Sequence, residues 1–396
     1  MPGAGTVDIV LHHLHGRVRR VGISVSRPAA AHVLIGKTPA QVLDIVPLLF
    51  SLCGHAQSHA ALQACRSALG LAAEARAEAG RNILVQIETL LEHVWQILLA
   101  WPRFIGQQPD KPSLAALLKI ETRCKQSLFP QGAFKLDSAV HFDTAELSTL
   151  IGELRELIDT AVFSGGLQDF LHLRHEADLL AWLQENSAMP AALLLEIYRR
   201  QWCAAGQNPV DCLPAADSTE WAAYLQEQDM HSFARQPHWQ GRLYESTVLN
   251  RQRNQPLIED LQGLYRNGFW VRMSARLLEL AGIPQSLYRL LQDGDAAPML
   301  NNPPSDSGLG LVQAARGLLI HRLQLRHGRV QDYAIVAPTE WNFHPQGVVA
   351  QGLSGLQAAN AVELDRQAQL LIESVDPCVK YQLQLCEEES EAGVHA

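Results

Sequence analysis

The segment Gly308-Leu-Gly-Leu-Val-Gln-Ala-Ala-Arg-Gly-Leu-Leu-Ile-His321 and the residues after it decide the fold of the C-terminal part of the chain. An apolar run over residues 318–323 leads to a turn at Gly328, and a second run follows over residues 330–336. Two such runs joined by a short turn that contains glycine are typical of a β-hairpin. We therefore predict a hairpin here, with Arg316 just before its first strand.

The remainder of the chain is mostly helical in pattern. One or two strands are expected over residues 6–25, irregular structure over 206–244 and a loop over 293–307, which is rich in Asn, Pro and Asp. A β-hairpin beside many helices indicates a helix-rich α+β fold. Apolar residues at helical spacing predict several helices. The first begins at Thr38–Pro39 and is kinked by Pro47, and the last covers 362–375. Between them, helices are expected over 55–79, 81–100, most of 113–200 and 255–280.

Composition excludes several classes of protein. The chain has 396 residues, 47% hydrophobic and 18% charged, with a formal net charge of -9, so a broad basic surface for nucleic acid is not expected. The longest apolar run, near residues 83–99, contains Gln, Glu and His, so no membrane span is expected, nor a secretory signal at the start. We predict a cytoplasmic protein with one large unit over residues 1–386 and an acidic, flexible tail over 387–396.

Seven cysteines, an odd number, do not form the pattern of a disulfide framework. Cys53 stands at the start of a predicted helix, where the thiolate that binds metal is favoured, and Cys378 follows the last helix. Either one alone is more often a small buried apolar residue than a ligand. Neither belongs to a Cys-x-x-Cys pair, because position 56 is Ala and position 381 is Tyr, so a four-cysteine zinc site is not supported.

His55 and His59 lie four residues apart, a spacing that could bind a metal on one helix face. The alternative, a partly exposed polar face on an alanine-rich helix, is favoured. The chain contains neither a glycine-rich phosphate loop nor a Gly-x-Ser-x-Gly nucleophile motif. Residue patterns alone therefore predict a helical protein with a β-hairpin and leave its function open.

Three segments in this order resemble the large subunit of nickel-iron hydrogenases. The first, around Ala315-Arg316-Gly317, is similar to the family's Ala-Pro-Arg-Gly, with Ala where the family has Pro. The second is Pro338-Thr-Glu-Trp-Asn342, and the third is Asp376-Pro-Cys378, similar to the family's Asp-Pro-Cys-x-x-Cys ending. Near the start, Cys53-Gly54 resembles the family's Cys-Gly-x-Cys. The resemblance covers nearly the whole chain and implies the fold of that subunit.

The resemblance also implies a reduced metal site. In the family, the first cysteine of each pair is terminal on nickel and the second bridges nickel to iron. The chain keeps the two terminal positions, Cys53 and Cys378, and has Ala56 and Tyr381 at the bridging ones. Neither replacement is a good substitute for a thiolate, so no nickel is expected. The matching donors to the cyanides on iron are Arg316 and Thr339.

This pattern is similar to that of hydrogenase accessory proteins of the HupK/HoxV type. The resemblance implies a non-catalytic scaffold that carries an Fe(CN)2CO fragment, with Cys53 and Cys378 as metal ligands and Arg316 and Thr339 as further contacts. The implied partners are a small HypC-type chaperone and the hydrogenase large-subunit precursor. Two alternatives stay open: a metal-free protein that mimics the large subunit for the maturation chaperones, and a divergent redox enzyme.

Overall fold

Two three-stranded sheets and a body of helices make up the fold of the computed structural model, which describes residues 5–26, 30–50, 53–293 and 305–388. The strands are β1 (Thr6–Leu14), β2 (Arg17–Ser26), β3 (Ser307–Ala314), β4 (Gly317–Arg326), β5 (Arg329–Val336) and β6 (Lys380–Glu387). The helices are α1 (Pro39–Leu49), α2 (Gly54–Leu69), α3 (Ala75–Trp95), α4 (Lys111–Leu128), α5 (Thr144–Phe163), α6 (Leu167–Phe170), α7 (Glu176–Glu185), α8 (Met189–Arg199), α9 (Ser218–Gln226), α10 (Met230–Arg235), α11 (Val248–Gln252), α12 (Pro256–Tyr265), α13 (Phe269–Asp293), α14 (Pro338–Asn342), α15 (Val348–Ser354) and α16 (Ala361–Val375). The predicted helix-rich α+β fold is confirmed.

The first sheet joins the two ends of the chain. β1 pairs with β2 in an antiparallel hairpin, and β6 pairs with the other edge of β1 in a parallel arrangement, with Val7 opposite Tyr381. Parallel neighbours cannot be joined by a tight turn, so this pairing needs the whole intervening chain as its connection. The residues just after Cys378 are thereby fixed beside the N-terminal strand.

The second sheet contains the predicted hairpin and one more strand. β4 pairs with β5 as expected, and β3 adds to the other edge of β4, with Ala314 opposite Gly317. The tight turn between β3 and β4 consists of Ala315 and Arg316. Arg316 is thus held between two paired strands.

Helix α2 packs closely against β3 because two glycines allow it. A Cβ atom on Gly308 would lie 1.9 Å from the carbonyl oxygen of Ala64, and one on Gly310 would lie 1.9 Å from that of Ala60. These contacts show that helix and strand run in opposite directions. The N-terminal end of α2, next to Cys53, therefore lies at the end of β3 that leads to Arg316.

Several predicted helix boundaries are wrong. The helix predicted over 55–79 is two helices, because the chain turns at Gly70, which has a φ of 67°. The helix predicted over 255–280 is also two, separated at Arg266, with a φ of 54°. The stretch predicted to end at residue 100 continues as a π turn and a 3-10 turn to Ile105. Pro47 lies inside α1 without ending it.

The predicted irregular region 206–244 contains α9 and α10. β6 extends to Glu387, and the rest of the predicted tail beyond residue 388 lies outside the described residues. The same holds for residues 294–304 of the predicted loop. The division of the chain at residue 386 stays a prediction.

The longest helical stretch is part of the core. Apolar residues of β1, α3, α5, α13 and α16 share one cluster of buried side chains. Among the described residues, one continuous helix, Ala75–Ile105, is long and apolar enough to cross a membrane, and 67% of its most apolar window is buried inside the molecule. This burial is the behaviour of a core helix.

Candidate functional site

Cys53 occupies the N-cap position of α2, and its side chain is half-buried against a small apolar cluster of α2, β3 and β4. A carboxylate from α3 covers the first turn of that helix. The backbone N–H of His55 donates to Glu88 Oε2 at 2.6 Å, and that of Ala56 donates to Glu88 Oε1 at 3.0 Å. These two N–H groups have no partner within their own helix, so Glu88 satisfies them and fixes the turn that carries Cys53.

Cys378 lies two residues after a sharp turn. Asp376 ends α16 with a φ of 66°, and Pro377 follows it. The sulfur of Cys378 is 3.0 Å from the hydroxyl oxygen of Thr339 in α14, and the backbone N–H of Cys378 donates to the same oxygen at 3.3 Å. The Pro-Thr and Asp-Pro-Cys segments are thus in direct contact.

Arg316 lies between these elements and is 7% exposed. Its Nη2 donates to Glu92 Oε2 at 2.8 Å, and its Nε is 3.3 Å from Asp376 Oδ1. Burial would lower the pKa of the guanidinium, but Asp376, Glu92, Cys378 and Cys53 outweigh burial and raise it. Both sulfurs therefore lie close enough to Arg316 to interact with its charge.

The four residues that the sequence indicated are thus brought together. Thr339 contacts Cys378 directly, and the pKa of Cys53 responds to the charges of Cys378 and Arg316. Residues 54–377 separate the two cysteines, so the chain closes on itself at this point. Their role in holding a metal stays a prediction.

The expectation that the helix N-terminus favours a Cys53 thiolate is wrong for the protein as it stands. Burial, followed by the charges of Cys378 and Glu88, raises the pKa of the Cys53 thiol to about 12. Arg316 and a hydrogen bond from Gln57 lower it, but by less. Glu88 already neutralises the end of the helix. Cys53 is therefore a neutral thiol in the protein as it stands.

Positions 56 and 381 are built into the fold. Ala56 is fully buried in α2. The Tyr381 hydroxyl donates to Glu373 Oε1 at 2.9 Å and accepts from Arg103 Nη2 at 2.9 Å. The Tyr381 hydroxyl is therefore engaged in hydrogen bonds with the ion pair of Glu373 and Arg103.

His55 and His59 do not share a site. His55 Nε2 is 2.8 Å from Glu121, and His59 Nε2 is 2.9 Å from Glu78. His59 is fully buried, so the expected exposed polar face is wrong for that residue. Over residues 5–26, 30–50, 53–293 and 305–388, no group of three or more His, Cys, Asp or Glu side chains could hold a metal ion. A site with two thiolates would thus depend on non-protein ligands.

Sequence reasoning missed the carboxylates of α3 that lie beside Cys53 and Arg316. Glu88 and Glu92 lie one helical turn apart on α3, where they interrupt an apolar stripe, and we interpreted them only as evidence against a membrane span. Burial raises the pKa of Glu88 to about 7 and also raises that of Glu92. Isolated acidic residues on an otherwise apolar face are the signal that could have identified them.

A cleft of about 520 Å³ lies beside the first turn of α2. Its lining includes Gly54, Glu88 and Glu92, beside the side chains of Phe50 and Leu118 from α1's end and α4. The cleft thus reaches the edge of the site at Gly54, the residue next to Cys53, and at the two carboxylates of α3.

Comparison with known proteins identifies the relatives of this chain. The nickel-dependent hydrogenase family matches residues 283–380. The hydrogenase expression/formation protein HupV of Azotobacter chroococcum is 29% identical, with 96% of this chain and 99% of that protein covered. HupK of Azotobacter vinelandii is 28% identical with the same coverage, and HoxV of Cupriavidus necator is 27% identical, with 92% and 93% covered.

Among solved structures, the Ni-Fe-Se hydrogenase of D. vulgaris Hildenborough matches with a TM-score of 0.67 and 16% identity, over 92% of this chain and 94% of that chain. This likeness establishes the large-subunit fold that the sequence predicted. The chain therefore has the fold of a nickel-iron hydrogenase large subunit and is similar over nearly its whole length to the HupK, HupV and HoxV hydrogenase expression/formation proteins.

Proposed function

We propose that this protein is a non-catalytic scaffold in hydrogenase maturation and carries an Fe(CN)2CO fragment as cargo. Cys53 and Cys378 would ligate the iron, and Arg316 and Thr339 would donate to its cyanides. The observation that carries the proposal is the contact of Cys378 with Thr339 together with the contact of buried Arg316 with Asp376, two residues before Cys378. The charges of both thiols act on Arg316. The names of the relatives support a role in maturation.

The donors around the thiols fit this cargo. Two thiolates and two cyanides outweigh the charge of a ferrous ion, so the loaded site is anionic and a buried guanidinium would stabilise it. Within the described residues, the Nε N–H of Arg316 makes no aligned hydrogen bond. The oxygen of Thr339 accepts from the Cys378 N–H and lies 3.0 Å from the Cys378 sulfur, so its own proton can be donated to that thiolate or to a cyanide on the same iron. Unsatisfied buried donors favour an incoming acceptor.

The chemistry of the lost positions supports transient binding. Ala56 has no donor atom, and the Tyr381 hydroxyl is engaged with Glu373 and Arg103. Nickel in the family needs both bridging thiolates, so we propose that this protein binds none. We propose that Cys53 and Cys378 hold the iron fragment without a nickel ion to lock it in place, so that the fragment can be passed on. We propose two cytoplasmic partners for this transfer: a small HypC-type chaperone and the hydrogenase large-subunit precursor.

Infrared spectroscopy of the protein, purified without oxygen from cells that assemble hydrogenase, tests this function. The wild type should show cyanide and carbonyl stretching bands and bind iron without nickel. Cys53→Ala and Cys378→Ala should lose the bands and stop hydrogenase maturation. Cys386→Ser is the matched control, because Cys386 is also a half-buried thiol but lies in β6 away from Arg316.

Absent bands in the wild type, together with normal maturation in both alanine variants, would refute the carrier. That result would favour the alternative of a metal-free protein that mimics the large subunit for the maturation chaperones.

A further inference from the structure

A chain of three buried polar side chains ends at the sulfur of Cys53. The Nε2 of Gln57, one turn further along α2, is 3.7 Å from Cys53 Sγ. The Oε1 of the same amide is 2.8 Å from His321 Nε2 in β4, and His321 Nδ1 is 2.8 Å from the Tyr333 hydroxyl in β5. Gln57, His321 and Tyr333 are each 2% exposed or less.

The hydroxyl of Tyr333 sets the direction of these hydrogen bonds. Within the described residues, its one hydrogen-bond partner is His321 Nδ1. A buried hydroxyl without an acceptor is costly, so Tyr333 donates its proton to Nδ1. The ring proton of the neutral imidazole is then on Nε2, which donates to Gln57 Oε1. The NH₂ of Gln57 therefore faces Cys53.

We infer that Gln57 is a positioning residue that donates a hydrogen bond to the Cys53 sulfur when that sulfur is a metal-bound thiolate, with His321 and Tyr333 holding its amide in the donating orientation. A thiolate is the strongest acceptor within reach of this amide, so the contact strengthens when the thiol loses its proton. The inference deepens the proposed function and rests on it for the metal-bound state.

The alternative is that the three side chains only satisfy one another's hydrogen bonds in the buried interface between α2 and the second sheet. In that case, removal of the amide changes stability alone. If Gln57 donates to Cys53, removal of the amide also changes the reactivity of the Cys53 sulfur. Gln63 allows the comparison: it lies on the same helix, and its Oε1 accepts from the backbone N–H of Leu311 at 3.0 Å, away from Cys53.

The first experiment uses the protein without iron. Cys53 is alkylated with iodoacetamide at one pH, and the modified peptide is followed by mass spectrometry. Gln57→Leu should slow the reaction by about tenfold, the effect of one hydrogen bond to a charged group. Gln57→Glu, whose carboxylate has no donor when ionised and also repels the Cys53 thiolate, should be slowed at least as much, and Gln63→Leu should match the wild type.

Tyr333→Phe tests the relay. Without the hydroxyl, His321 can carry its proton on Nδ1 and the amide can turn its oxygen to the sulfur, so alkylation should again slow. The thermal unfolding of every variant is measured, and Gln57→Leu serves if the buried carboxylate of Gln57→Glu prevents folding. Equal rates in the wild type, Gln57→Leu and Tyr333→Phe would overturn the inference, as would a Gln63→Leu variant slowed to the same extent.

The second experiment uses the protein that carries cyanide and carbonyl bands. A thiolate that loses its hydrogen bond donates more electron density to iron, so the bands of Gln57→Leu should move to lower wavenumber while those of Gln63→Leu stay in place. Bands that coincide in all variants would contradict the inference and leave the carrier function intact. Absent bands in the wild type with a slowed Gln57→Leu alkylation would refute the carrier and retain the donor to Cys53.

Discussion

The hydroxyl oxygen of Thr339 lies 3.0 Å from the sulfur of Cys378, and it also accepts the backbone N–H of that cysteine at 3.3 Å. Two segments 39 residues apart in sequence are thus joined at a single oxygen atom. Thr339 is 1% exposed, so water does not compete for these contacts. The threonine both shapes the loop of Cys378 and faces the proposed iron ligand.

Replacement of the Thr339 hydroxyl should weaken binding of the iron fragment much more than it destabilises the fold. Thr339→Val keeps the shape of the side chain and should destabilise the protein by only about 1 kcal/mol, the value of one hydrogen bond. Retention of the iron fragment should fall by about tenfold, because a donor to a charged ligand is lost. Iron content after gel filtration and thermal unfolding give the two readouts. Thr339→Ser should retain the iron, and a Val variant with full retention would exclude this role.

Packing of α2 on β3 should be intolerant of any side chain at Gly310. Its Cβ would lie 1.9 Å from the carbonyl oxygen of Ala60, and backbone cannot yield as a side chain does. Gly310→Ala should therefore cost more than about 3 kcal/mol or prevent folding. Because this packing aligns Cys53 with Arg316, folded variant protein should also lose iron.

Gly263→Ala is the matched control for that substitution. Gly263 lies in α12, and a Cβ there has nothing within 4 Å. Alanine in an exposed helix should stabilise by about 0.5–1 kcal/mol. Urea unfolding measures both variants, and a Gly310→Ala protein as stable as the wild type would show that the helix and strand are not held this closely in solution.

The sequence predicts a helix that begins near Cys53 and a glycine-containing segment before Arg316. It does not predict how closely α2 and β3 pack together. Gly308 and Gly310 were recognised only as part of a family-like segment, because a need for glycine arises from a neighbour 250 residues away in α2. The hairpin of β4 and β5 was predictable because its pairing is local. β6 was missed although Tyr381, Leu383 and Leu385 alternate with polar residues, since its partner β1 is at the other end of the chain.

The candidate site was likewise predictable from the sequence only in part. Resemblance indicated Cys53, Arg316, Thr339 and Cys378, each within a short motif. The groups that set their charge come from elsewhere: Glu92 from the middle of α3, and Gln57, which is unremarkable by sequence. A thiol at a helix N-terminus was expected to ionise readily, but burial opposes this, and burial cannot be read from the position of a cysteine within a helix.

Acid should weaken the junction between α2 and α3 through Glu78. Burial tends to raise the pKa of this carboxyl, but a hydrogen bond from His59 and the guanidinium groups of Arg81 and Arg66 outweigh it and lower the pKa to about 2. A carboxyl with a pKa depressed from 4.5 stabilises the fold above pH 4.5, and this contribution is lost as the pH falls toward 2. The difference corresponds to about 3 kcal/mol.

Glu78→Gln should accordingly be less stable than the wild type by about 3 kcal/mol at pH 7, with a difference that shrinks steadily below pH 4.5. Urea unfolding at a series of pH values measures this. Glu259→Gln, at an exposed position of α12, should follow the wild type throughout. A Glu78→Gln deficit that is the same at pH 3 and pH 7 would mean that the carboxylate charge is not what stabilises the junction.

Tyr381 offers the sharpest test of whether the position that resembles the family's bridging cysteine serves a metal in this protein. Its hydroxyl donates to Glu373, whose side chain is 7% exposed, and accepts from Arg103. Tyr381→Phe should therefore cost about 1–2 kcal/mol through loss of a hydrogen bond to a charged group. The infrared bands and iron content should be unchanged, because the hydroxyl is committed to this ion pair. Tyr288→Phe, which loses only a bond to the Ser148 carbonyl, should cost less. A Tyr381→Phe protein of normal stability without bands would instead make the tyrosine a ligand.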